Sequence, residues 1–406
     1  MPNDLDRPSL SDSPRFPFQR EDPLHPPALY AQARKTNPVF EVTLWDGRRA
    51  WLITRYDHLR AVLNDPRFSG EMGHPDFPAV TEARVVVDKQ ERAFVGMDNP
   101  RHDHFRRMVT REFSTKRMLA LRPGISQIAQ ELIDDMIKSP PPVDLVPAVA
   151  VRLPSLVMCQ LIGSPYEDHK FIMTCAAARH GLMQSPGEAH DKARELVRYF
   201  RRLIDLKEDK PADDMVSRII AEQVIPGHLD RDDFAEIGAM ILRAGHDTTT
   251  NMIGVGTLLF LNNPDQLTAV RDDPSVVDGA IEELLRFVSP VQFAPRRVAL
   301  EDVELDGVTI RKGEGLFVLN PSANRDEKMF ADPDRFDIHR DASQHVAFGY
   351  GIHQCLGQML ARIELQVIFP ILFQRLPNLR LAVPTADIQF KNDMQIYGLY
   401  GLPVTW

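Results

Sequence analysis

Apolar positions along much of the chain recur at intervals of three and four, the spacing of one helix face. From 125 to 270 most segments carry this period, separated by Pro140-Pro141-Pro142, Pro165, Pro211 and Pro226-Gly227. One predicted helix is far longer than the others. Asp230 is a suitable N-cap, and the pattern runs on to Asn263 before Pro264. At 1.5 Å per residue it spans ~45–50 Å. Its second half, Asn251 to Leu261, is apolar on every side and is predicted to be buried. Shorter helices are predicted over 55–64, 103–122, 274–288 and 354–376. Val39 to Ile53 reads instead as two strands about an Asp46-Gly47 turn. Further strand-like pieces lie at Arg297–Glu304, Val308–Ile310 and Gly315–Leu319. Segments 68–99 and 324–347 have no period, and a loop as long as the first points to function or motion. Residues 1–27, rich in Pro, Asp, Arg and Ser, read as an extended arm. Residues 28–406 read as one mainly α domain with a minor β region.

The charge balance narrows the partners. With 48 basic and 57 acidic residues the net charge is −9, which argues against a nucleic-acid partner. Three cysteines in 406 residues make no disulfide framework. The chain opens without a basic segment followed by an apolar one, and its longest apolar run, Met252 to Leu261, is too short to cross a membrane. A soluble cytoplasmic protein with no membrane association is the expectation.

Chemistry concentrates in Phe348-Gly349-Tyr350-Gly351-Ile352-His353-Gln354-Cys355-Leu356-Gly357. The glycines permit a tight turn and a close approach. They deliver Cys355 to the predicted start of the last helix, where free N–H groups favour a thiolate. A single thiolate does not build a tetrahedral zinc site, whereas haem iron needs only one such ligand.

This stretch resembles the haem-binding loop of the cytochrome P450 family of haem-thiolate monooxygenases, whose pattern Phe-Gly-x-Gly-x-His/Arg-x-Cys-x-Gly is matched at every fixed position. The resemblance extends from about Phe16 to Trp406. It implies the P450 fold, a long central helix over a buried haem b, and O2 as co-substrate. Cys355 is then the axial iron ligand, with Phe348 packed beside it and Gly349 and Gly357 shaping the loop. Glu283 and Arg286 resemble the family's Glu-x-x-Arg, a buried structural pair that engages the later segments 324–326 and 333–337. Ala244-Gly245-His246-Asp247-Thr248-Thr249, midway along the long helix, resembles the motif in which a kink at Ala244-Gly245 opens room for dioxygen. There Asp247 and Thr248 form the acid–alcohol relay that passes protons inward. His102, Arg106, Arg297 and His345 are the expected partners of the haem propionates, with Arg296 the weaker choice beside Arg297.

By the same resemblance the substrate pocket is lined by Phe94, Val95, Met240, Arg243, Val291, Phe293, Ala294, Ile396 and Tyr397, mostly apolar and suited to a small oily organic substrate. Arg243 departs from the family, where an apolar residue is usual. It either pairs with Asp247 or another acid nearby, or holds an anionic or carbonyl group of the substrate. Neither a flavin or nicotinamide domain nor a ferredoxin cysteine cluster is recognised in the chain. Electrons are therefore expected from a separate ferredoxin and its NAD(P)H-dependent reductase, or directly from a small donor. Arg107, Arg111, Lys116 and Arg117 offer a basic docking face. Hydroxylation is the expected reaction. The resemblance also admits a nitric oxide reductase-like or peroxygenase chemistry and, outside enzymes, a haem sensor or carrier.

Overall fold

The computed structural model describes residues 13–177 and 186–406. Residues 1–12 of the expected arm and 178–185 of the helical region lie outside the described residues. Within them the molecule is mainly helical, built around the helix Arg231–Leu261. The Asp230 carboxylate caps it, accepting from the N–H groups of Asp232 and Asp233. Helices 152–162 and 186–209 pack along it, and the last helix, Gln358–Arg375, packs against both it and Thr115–Ile137. Residues 251–260 of the long helix are buried on all sides, as their uniformly apolar character requires.

The principal sheet has five strands in the order Val39–Thr43, Arg49–Ile53, Gly315–Val318, Arg296–Ala299, Phe68–Ser69. The first two form the expected hairpin, with Gly47 at φ +83° in its turn. Arg49–Ile53 then pairs in parallel with Gly315–Val318, Leu52 opposite Phe317. Residues 13–27 are docked rather than loose: Arg15 bridges Thr43, and Phe16 packs against Phe293 and Phe317.

The aperiodic segment 68–99 is more ordered than its sequence suggests. It contains the short strand Phe68–Ser69, a helix at Glu82–Lys89 capped by the Thr81 hydroxyl, and a single helical turn at Phe94–Gly96. The predicted helix 103–122 is two helices, Arg101–Thr110 and Thr115–Ile137, divided at Ser114. Among the described residues no helix is long and apolar enough to cross a membrane.

Candidate active site

The loop carrying Cys355 is held by its backbone. Gly349 and Gly351 both sit at φ +73°, the left-handed region that L side chains avoid. A Cβ at Gly351 would lie 2.5 Å from the Leu63 carbonyl oxygen, so space excludes other residues as well. The Cys355 N–H donates to Phe348 O at 2.9 Å and closes the loop. Regular helix begins at Gln358, three residues past the cysteine, so Cys355 precedes the helix rather than starting it. The Gly357 N–H nonetheless donates to its sulfur. Cys355 is accessible, although Val346 and Leu360 on either side are buried; it forms the wall of an interior space. Burial pushes the thiol up, against the Gly357 N–H and the charges of Arg106 and Arg362. A metal cation at the sulfur would tip that balance to the thiolate. The Arg362 guanidinium lies over the Phe348 ring at 4.7 Å.

Beside this loop four cationic or protonatable side chains converge. His102 is fully buried, and its ring lies 4.4 Å from that of His353. The Nε2 atoms of both and Nη2 of Arg297 are buried without a partner among the described residues. Arg106 donates to Gln354 O at 2.6 Å. Gly70 leaves room for the group: a Cβ there would lie 3.1 Å from His353 Nε2 and 3.5 Å from Arg297 Nη1. Burial, then the nearby Arg297, His102 and Arg106, drive the His353 imidazole down to about 2. Buried nitrogens left unpaired in this number ask for partners, and two carboxylates would satisfy the Arg297 guanidinium and imidazoles that carry a proton on Nε2. A haem, with a sulfur ligand for its iron and two propionates, fits the set.

His345 is not among these residues. Its Nε2 lies 3.1 Å from Glu282, which also takes two hydrogen bonds from Arg362, and its Nδ1 accepts from the Ala347 N–H. Its partners are already in place, whereas His353, inside the cysteine motif, stands beside His102 with Nε2 unpaired among the described residues. Neighbouring strand residues point to opposite faces. Arg296 accordingly turns to Asp88 (2.6 and 3.0 Å), while Arg297 faces His353.

The long helix brings Ala244 and Thr248 to one face. Both keep accessible surface although Leu242, His246, Asp247 and Thr249 are buried. The expected kink is not a break: the helix is continuous from Arg231 to Leu261. Room comes instead from small side chains, and Gly245 lets helix 152–162 approach, since a Cβ there would meet Met158 Sδ at 2.5 Å. The Thr248 hydroxyl donates to Ala244 O at 3.3 Å. Asp247 lies 2.8 Å from His246 Nδ1, and its carbonyl accepts from Asn251, whose Oδ1 accepts from Lys391 at 3.0 Å.

Glu283 and Arg286 are completely buried and bonded twice, at 2.6 and 2.8 Å. Arg286 also donates to the carbonyls of Asn324 and Pro333, and Glu283 accepts from the Asp337 N–H. Asn324 Oδ1 in turn accepts from the Val346 N–H at 2.7 Å, so the pair braces the base of the cysteine loop.

The expected pocket residues divide. Val291 and Ala294 keep accessible surface, and Val291 pairs with the buried Ile396. Phe94 is buried against His102, Val95 is exposed, and Met240 is nearly buried on the long helix. Phe293 and Tyr397 face elsewhere. Phe293 sits 5.5 Å from Phe16 in the sheet cluster, and Tyr397 donates to Pro23 O beneath the Arg20 guanidinium. Arg243 makes its ion pair with Glu91, at 2.9 Å, not with Asp247. Of the basic docking candidates, Arg107, Arg111 and Lys116 are exposed, with Arg111 bonded to Glu222. Arg117 instead turns inward to the buried Glu112.

An accessible cysteine on a glycine-shaped loop, two arginines and two imidazoles with buried Nε2 atoms beside it, and a long helix carrying an acid and an alcohol fit a haem-thiolate enzyme. Comparison with known proteins agrees. The sequence model of the family described as Cytochrome P450 matches residues 171–394. Cytochrome P450-SU2 of Streptomyces griseolus is 44% identical, covering 95% of this chain and 94% of its own. Pentalenic acid synthase of Streptomyces avermitilis is 43% identical over 98% of both. Among solved structures, the mycinamicin VIII C21 methyl hydroxylase MycCI of Micromonospora griseorubida, bound to mycinamicin VIII, superposes with a TM-score of 0.91 at 34% identity, covering 97% of this chain and 100% of that one. The chain belongs to the cytochrome P450 family and is a haem-thiolate monooxygenase.

Proposed function

We propose that this enzyme hydroxylates a small organic molecule with an apolar body, using haem b held by Cys355 and by His102, Arg106, Arg297 and His353. The observation that carries the reading is the accessible Cys355 sulfur on a loop beside buried nitrogens of His102, His353 and Arg297 that have no partner among the described residues. When bound, the haem iron supplies dioxygen activation. The protein's part is to bind, to exclude water and to move protons. His102, His353, Arg106 and Arg297 orient the propionates by charge-assisted hydrogen bonds. The Gly357 N–H tempers the electron donation of the sulfur. Thr248, on the accessible face, presents a hydroxyl toward the reacting oxygen, and Asp247, with His246 at its carboxylate, stands behind it as the proton source. A nitric oxide reductase-like chemistry has no use for that pair, and a sensor or carrier has none either. Electrons come from a separate ferredoxin and its NAD(P)H-dependent reductase, docking where Arg107, Arg111 and Lys116 are exposed. The mycinamicin VIII bound to MycCI and the apolar residues Met240, Val291 and Ile396 support an organic substrate with an apolar body. The test is the carbon monoxide complex of the reduced, haem-loaded protein. A Soret band red-shifted in the manner of thiolate ligation is expected, together with NADPH-dependent product formation when ferredoxin and reductase are added. An unshifted band overturns the reading.

A further inference from the structure

We infer that the Arg243–Glu91 ion pair selects substrates by charge, favouring a neutral oxygen acceptor over an anion at this end of the cavity; the inference rests on the cavity beside Ala244 being the substrate site. Arg243 immediately precedes Ala244, whose surface is open to that cavity, and lies one turn after Met240. Its partner comes from a different element. Glu91 begins a tightly folded strap: its Oε1 accepts from the Ala93 N–H, and its Cγ lies 3.0 Å from where a Cβ at Gly96 would stand. Phe94 then meets the His102 ring at 5.9 Å. The strap thus runs from the long helix to the propionate-binding cations, with the ion pair at its far end.

Both partners are nearly enclosed, Arg243 at 12% and Glu91 at 5% exposure. A guanidinium carries five N–H donors in a rigid fork, and the pair uses only Nη2. A carbonyl or hydroxyl of a substrate can accept from the remaining donors without disturbing Glu91. A carboxylate must instead share the guanidinium with the Glu91 carboxylate, and like charges so placed repel. Glu91 therefore turns an arginine that looks like an anion receptor into a donor for neutral groups.

The experiment uses ω-imidazolyl alkanoic acids of graded chain length and their primary amides. Their imidazole anchors on the iron of the haem-loaded protein, and dissociation constants follow from the Soret shift at neutral pH. In the wild type the amide is expected to bind about tenfold more tightly than its acid. In Glu91→Gln, which keeps the size and one of the two acceptor oxygens but removes the charge, the preference is expected to swing to the acid. In the charge-free pair Glu91→Gln with Arg243→Met, acid and amide are expected to bind alike. An acid-to-amide ratio that is unchanged in Glu91→Gln, or a wild-type preference that survives in the double variant, overturns the inference. The carbon monoxide spectrum of each sample separates the two readings: its failure in the wild type sinks the proposed function, whereas an intact spectrum with an unchanged ratio sinks only the role of the pair.

Discussion

The imidazoles of His102 and His353 lie 4.4 Å apart, and each leaves Nε2 buried and unpaired. Two such rings cannot both carry charge in that position unless an anion lies between them and Arg297. The arrangement makes sense only as half of a complex. His353→Phe and Arg297→Leu are each expected to weaken haem retention by roughly 10- to 100-fold, since a hydrogen bond to a charged group contributes about 1.5–3 kcal/mol. Haem transfer to excess apomyoglobin measures it. Unchanged transfer rates would remove these residues from the propionate set.

Cys355→Ser exchanges a soft sulfur for a hard oxygen at the one accessible cysteine of the site. Haem can still enter, held by the cations, but the red-shifted carbon monoxide band and the hydroxylase activity are both expected to vanish. A parent-like spectrum in the variant would refute the ligand assignment.

Thr248→Ala removes a hydroxyl from the accessible face and leaves a methyl that the helix tolerates. Haem and substrate binding are expected to persist. The fraction of electrons ending in product should drop on the order of 10²-fold, the usual worth of a positioned proton donor, with peroxide appearing instead. Peroxide yield per NADPH is the measurement, and unaltered coupling would place the proton route elsewhere.

Glu283→Gln breaks a doubly bonded pair with no exposed surface on either side. Leaving Arg286 charged and uncompensated is expected to cost about 3–5 kcal/mol. Urea unfolding gives the number, and a loss below about 1 kcal/mol would show that the carbonyls of Asn324 and Pro333 suffice for Arg286.

Glu282 predicts an acid response. Burial pushes its carboxyl up, but hydrogen bonds from His345 and Arg362, with their charges, prevail and hold it down at about 2 instead of 4.5. A folded-state value below the unfolded one stabilises the protein at pH values above the unfolded value. That contribution is lost as pH falls from about 4.5 toward 2. Allowing for partial exposure it is worth about 2 kcal/mol, so Glu282→Gln should flatten the stability profile across that window. A slope matching the wild type there would contradict the assignment.

What the sequence discloses follows the range of each signal. The long helix was legible because its cap, its apolar second half and the closing proline are all local. The Cys355 loop was legible for the same reason. His353 lies inside that loop, yet sequence alone does not favour it over His345, because only the fold shows that Glu282 occupies His345. The helix at Glu82–Lys89 was hidden by the glycines and prolines around it, and its Thr81 cap was the signal available. Glu91, 152 positions from Arg243, could not be paired with it from spacing at all. Tyr397 looked like a pocket residue because its other partners, Pro23 and Arg20, come from the opposite end of the chain.

That clasp between Arg20, Pro23 and Tyr397 bears on how the enzyme is made. Synthesis runs from the N-terminus, and segments fold as they emerge. A nascent chain that has already released Cys355, the long helix, His102, Arg106, Arg297 and His353 still lacks the strand partner of Val291 and the anchor of residues 13–27, because Ile396 and Tyr397 follow all of these in the chain. One side of the cavity therefore stays open until Ile396 and Tyr397 have joined the fold. The wall at Val291 and the anchor of residues 13–27 thus depend on one short segment, Ile396-Tyr397, made after the other parts of the site.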